Sequence, residues 1–115
     1  MPVSRSCPRK LIATLWDGTR IMRVSGPCVR REHDPDFTEG CHGYLRDRCA
    51  KYIPKKEIWI EAMRNRQDER AILFHELFEW HSMKYHKMGY DRAHARASSV
   101  EQAIRKHSGK LRCRA

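Results

Sequence analysis

The chain reads as an α+β protein in which a small antiparallel sheet, a hairpin plus an edge strand, packs on a C-terminal helical hairpin. Three observations predict this class. An Asp17-Gly18 turn separates two apolar-bearing runs, a short alternating run follows at Glu57–Glu61, and apolar spacing turns helical from Asp68 onward.

Residues 10–16 read as the first strand, Asp17-Gly18-Thr19 as the turn and residues 20–24 as the returning strand. Ser25-Gly26-Pro27 breaks the pattern. Residues 29–43, with His33-Asp34-Pro35-Asp36, Gly40 and Gly43, read as a polar loop or flap. Glu57-Ile58-Trp59-Ile60-Glu61 alternates around a β-branched centre and predicts a strand near the middle of the sheet or at its active edge. Ile72, Leu73, Leu77, Phe78 and Trp80 recur at spacings of three and four, which predicts one helix from Asp68 to about Lys87, stopped by Gly89. Asp91 then caps a second helix whose small seam of Ala93, Ala97, Val100 and Ile104 lets its backbone approach the first closely. Ser108-Gly109 is expected to end that helix.

A chain of 115 residues fits one domain spanning residues 1–115, with residues 1–9 and 108–115 expected to fray. No run approaches the ~20 apolar residues of a membrane span, and the basic N-terminus has no apolar stretch behind it, so a soluble cytoplasmic protein without membrane contact is expected. The five cysteines are odd in number and form no C-x-x-C pair, which predicts free thiols in a reducing compartment. Cys28, His33, Cys41, His42 and Cys49 share one loop-rich stretch that could hold a structural zinc, but their spacings are irregular and free thiols are the preferred reading. The net charge of +10 predicts attraction to polyanions, so nucleic acid or an acidic protein is a candidate partner alongside a peptide or protein substrate. Tyr44, Arg46, Lys51 and Tyr52 are the only hint of a stacking platform for single strands. There is no P-loop, dinucleotide fingerprint or nucleophile elbow.

The chemistry concentrates at His75-Glu76-Leu77-Phe78-Glu79. Residues four apart share a helix face, so His75 and Glu79 can reach one divalent ion, expected to be zinc. Glu76, turned by about 100°, is placed to act on a water beside that ion as a general base. The third ligand comes from the second helix. An antiparallel register about Gly89 favours Glu101, and a steeper crossing brings in His94. A solvated salt-bridge face is the plain alternative, but Ala71-Ile72-Leu73-Phe74 before the motif and Leu77-Phe78 within it place these polar groups in an apolar helix, where an unpaired charge costs several kcal/mol. His81, six residues from His75, faces away; His86 shares the stripe of Glu79 and could meet His94.

At these residues the sequence resembles a family of small zincin-like metallopeptidases of bacterial and phage reading frames. That family carries H-E-x-x-E on one helix and Tyr-x-x-Ala-His-x-x-Ala-x-x-x-Glu on the next; here these positions hold His75, Glu76 and Glu79, then Tyr90, Ala93, His94, Ala97 and Glu101. The resemblance covers residues 52–101. It implies a zincin-like fold with residues 57–61 as the strand lining the cleft, and a metal-dependent hydrolase of peptidase type with Glu76 catalytic and His75, Glu79 and either Glu101 or His94 as the metal ligands. A glutamate stands at position 79 where active zincins carry their second histidine.

Overall fold

The computed structural model describes residues 7–45 and 49–114, with side chains to residue 106. The chain divides into two compact units, Met1–Ala62 and Met63–Ala115.

The first unit is built on a four-stranded sheet in the order β1-β2-β4-β3. Strands β1 (Arg9–Thr14) and β2 (Arg20–Val24) form the expected antiparallel hairpin. Its turn is set by two residues. The Asp17 carboxylate accepts from the Thr19 amide at 2.9 Å, and Gly18 sits at φ +89°, where a side chain is strained.

Helix α1 (Gly26–Glu32) follows at once, where the sequence reading placed a break and then a loop. The signal was present in Ser25, whose Oγ accepts from the Cys28 amide at 3.2 Å, and in Pro27, which suits a first helical turn. Strand β3 (Gly40–His42) was likewise hidden in the polar stretch. It pairs antiparallel with β4 (Glu57–Glu61), whereas β2 and β4 run parallel. The sheet is therefore mixed, not antiparallel, and β4 is an interior strand rather than an edge. Residues 25–56 supply the long crossover that parallel pairing requires; a hairpin signal, being local, cannot reveal it.

On β4, Ile58 and Ile60 point to one face and Glu57, Trp59 and Glu61 to the other. Glu57 is only 1 % exposed. Its Oε1 accepts from Arg9 Nη1 and Trp59 Nε1, both at 2.9 Å, and its Oε2 from Arg20 Nη2 at 2.8 Å. Glu61 accepts from both terminal nitrogens of Arg30 at 3.2 and 3.0 Å and from the Glu39 amide at 3.2 Å. A Cβ on Gly26 would meet the Glu61 carboxylate, so a larger residue there would push that side chain aside. Both carboxylates thus have structural partners. Glu57→Ala is expected to destabilise the protein by about 2–3 kcal/mol, less than a fully buried pair because both arginines reach solvent. Urea unfolding measures this, and a loss under about 0.5 kcal/mol, the level of an ordinary surface change, would contradict the assignment.

Two disulfides overturn the expectation of free thiols. Cys7 joins Cys28 and Cys41 joins Cys49, with Cα–Cα separations of 5.7 and 6.3 Å. Cys28, Cys41 and Cys49 are consumed by these bonds and cannot serve the structural zinc considered above. The pairs lie 21 and 8 residues apart with no motif spacing, so only the fold brings them together. Cys113 lies outside the described side chains. Trp59 is buried, whereas Trp16 is 69 % exposed.

The second unit is a helical hairpin. Helix α2 (Arg66–Tyr85) starts at Asn65, whose Oδ1 accepts from the Gln67 and Asp68 amides at 2.8 and 3.3 Å. At its far end His86 is the C-cap, and Lys87, at φ 54°, takes the left-handed position two residues before the Gly89 that was read as the stop. Helix α3 (Tyr90–Arg114) begins directly after Gly89. It continues through Ser108-Gly109, against the expected stop: an interior glycine costs only about 1 kcal/mol relative to alanine, and Lys110, Leu111 and Arg112 are good helix formers. Of the ends expected to fray, residues 1–6 lie outside the described residues, Arg9 opens β1, and residues 108–114 are helical. Ala93 and Ala97 are fully buried, so small side chains set the close approach of α3 to α2. Among the described residues no helix is long and apolar enough to cross a membrane.

Candidate metal centre

The hairpin brings His75, Glu79 and His94 together, each offering one ligand atom, and these atoms all lie within 4.8 Å of one another. These buried and half-buried His and Glu groups could hold a metal ion. His75 and Glu79 share a face of α2 through their four-residue spacing, and both are buried. His94 reaches them from the first turns of α3 because Ala93 and Ala97 on either side hold that helix close.

The spacing suits an ion. Two ligands about 2.0 Å from a tetrahedral zinc lie roughly 3.3 Å apart. His75 Nε2 stands 3.5 Å from Glu79 Oε2, and His94 Nδ1 stands 2.9 Å from the same oxygen. The first distance already matches; the second is a hydrogen bond that must open by a few tenths of an ångström. The His94 side chain is 47 % exposed, so it forms the solvent side of the cluster, while Glu79 at 3 % forms its floor. Tyr90 stacks on the His94 ring at 5.2 Å, with its hydroxyl 3.4 Å from Nδ1.

Glu101, favoured as third ligand by simple register, occupies a different place. Its Oε1 lies 2.8 Å from His75 Nδ1, on the ring edge away from the Nε2 that faces Glu79, at an angle outside hydrogen-bond geometry. Its Oε2 accepts from Arg105, which also pairs with Asp68 at 2.6 Å. Asp68 and Arg105 were not singled out by sequence reasoning; the four-residue Glu101–Arg105 spacing was the available signal. Glu76 is 7 % exposed, and one of its carboxylate oxygens lies within 4.8 Å of one from Glu79. His86 packs against His81, with ring centroids 5.3 Å apart, at the far end of α2. A depression lined by Ser99, Gln102, Ala103, Arg105 and Lys106 contains none of the three converging ligands.

Burial of the His75 ring lowers its pKa, but the Glu79 and Glu101 carboxylates outweigh burial and leave it above the ordinary histidine value. In metal-free protein, stability from this raised pKa is fully present below the unfolded value of about 6.5 and disappears as pH rises through the folded one. The stability difference between wild type and His75→Gln, measured by urea unfolding with chelator present, should therefore shrink between acid and alkaline pH. A difference that stays constant would contradict the ion pair.

No protein-family model, curated protein or solved structure matches this chain.

Proposed function

We propose that the chain is a zincin-type, metal-dependent hydrolase acting on peptide bonds. The observation that carries this reading is the convergence of His75, Glu79 and His94 at ion-compatible spacing, with Glu76 one residue along the same helix. Two imidazoles and one carboxylate form a donor set that suits zinc and leaves a position open. A divalent ion there would polarise a scissile carbonyl and lower the pKa of an attacking water.

The protein's own groups supply the rest. His75 and His94 bind as neutral rings, and Glu79 contributes the negative charge that favours a cation in a buried setting. Glu76, rotated from the ligand face, accepts the proton from water and delivers it to the leaving amine. The exposed edge of His94 is the side from which a peptide enters.

The test is cleavage of a broad peptide library by zinc-loaded protein, compared with Glu76→Gln. If the loaded wild type cleaves nothing above that background, the enzymatic reading fails, and a basic binding module becomes the better account. In that account the +10 charge recruits nucleic acid or an acidic protein, with affinity that falls steeply with salt. The rings named as a stacking hint do not favour it: Tyr52 stacks within the protein on His33 at 5.2 Å, and Lys55 lies over Tyr44.

Compartment follows from the thiols. Disulfides are rare in a reducing cytosol, so the cytoplasmic location suggested by the cysteine count requires Cys7, Cys28, Cys41 and Cys49 to be reduced there.

A further inference from the structure

We infer that Glu101 is a positioning residue for the metal centre, held by Arg105 and Asp68 so that it fixes the orientation and tautomer of the His75 ring. This rests on the metal-binding reading above and deepens it.

The two edges of the His75 imidazole face different partners. His75 Nε2 faces Glu79 Oε2 at 3.5 Å, the side where His94 also arrives, whereas Nδ1 faces Glu101 Oε1 at 2.8 Å. A neutral histidine that ligates through Nε2 must carry its proton on Nδ1. The carboxylate at Nδ1 is therefore where an acceptor for that proton is needed. The two atoms are at hydrogen-bond distance but outside hydrogen-bond geometry, so the ring must turn for this bond to form. An anionic acceptor also makes the ligating nitrogen more basic.

Glu101 is itself constrained. Its second oxygen accepts from Arg105 at 3.0 Å, and Arg105 reaches back across the hairpin to Asp68 in the first turn of α2. Four side chains from two helices thus form one chain of contacts, Asp68–Arg105–Glu101–His75, that ends on the candidate ligand. A glutamate on its own would lose rotamer entropy on holding the ring; a guanidinium that already holds one of its carboxylate oxygens reduces that cost. The arrangement also accounts for why Glu101 lies close to His75 without joining the cluster of three ligands.

The experiment titrates chelator-treated full-length protein with Co²⁺, reading affinity and the visible d–d spectrum, for wild type, Glu101→Ala, Glu101→Gln and Arg105→Gln. Glu101→Ala is expected to weaken Co²⁺ binding roughly 10- to 100-fold while leaving band positions unchanged, because the three ligands remain. Glu101→Gln keeps a carbonyl acceptor and should regain part of the loss. Arg105→Gln should show a smaller loss in the same direction, and it retains Glu101 if the alanine variant folds poorly. A Glu101→Ala spectrum with shifted bands would make Glu101 a direct ligand and overturn the inference. Unchanged affinity in folded Glu101→Ala and Arg105→Gln would make the chain of contacts purely structural and overturn it too, with metal binding itself intact. Wild-type protein that takes up no Co²⁺ would overturn the metal reading and this inference together.

Discussion

Glu76→Gln is expected to lower peptide hydrolysis by roughly 10²-fold or more and to leave metal content and fold nearly unchanged. The magnitude follows from its assigned task, since removal of a general base takes away the proton acceptor while substrate and ion still bind. The selectivity follows from position. Glu76 lies one residue from His75 and is turned away by about 100°, so it stands beside the ligand face rather than on it. One of its carboxylate oxygens nevertheless lies within 4.8 Å of one from Glu79, so it neighbours one member of the ligand set. Glutamine has the same shape, and at a residue only 7 % exposed this keeps the packing of α2. Equal turnover by Glu76→Gln and wild type would remove Glu76 from catalysis, and loss of metal from the variant would make it a ligand.

The second large effect concerns the ligands. His94→Ala is expected to reduce zinc affinity by more than about 100-fold, exceeding the effect of losing an outer partner of a ligand. It should do so with little change in the stability of metal-free protein, because the side chain is half exposed. His75→Ala should lose the metal to a similar degree but should also destabilise the metal-free chain. It removes the imidazole that lies between Glu79 and Glu101 inside the hairpin, so Glu79 keeps His94 and Glu101 keeps Arg105 but each loses its contact to His75. This contrast is read by isothermal titration with zinc and by thermal melting in chelator. Equal metal affinity in His94→Ala and wild type would exclude His94 from the ligand set.

Much of the hairpin was legible in the sequence because its rules are local. Helical spacing placed His75 and Glu79 on one face, and the small residues at 93 and 97 marked the seam that lets His94 approach. The order of His94 and Glu101 along α3 was legible; the crossing that places one beside Glu79 and the other behind His75 was not, because antiparallel register about Gly89 ignores how closely two alanines let the helices pack. In the first unit the Asp17-Gly18 hairpin followed from turn chemistry. The parallel β2–β4 pairing and the Cys7–Cys28 disulfide join segments far apart in sequence, and the closer Cys41–Cys49 pair carries no motif spacing that marks it. Helix α1 was missed for another reason: Gly26 and Pro27 were read as breakers, although Ser25 before them makes the same residues a helix start.

The central claim is that one divalent ion binds within the hairpin through His75, Glu79 and His94. Elemental analysis of untagged, gel-filtered protein after zinc loading tests it most directly, alongside the triple variant His75→Ala, Glu79→Ala, His94→Ala. The expected result is one zinc per wild-type chain and none retained by the folded triple variant. Equal zinc in both, or none in either, would contradict the claim.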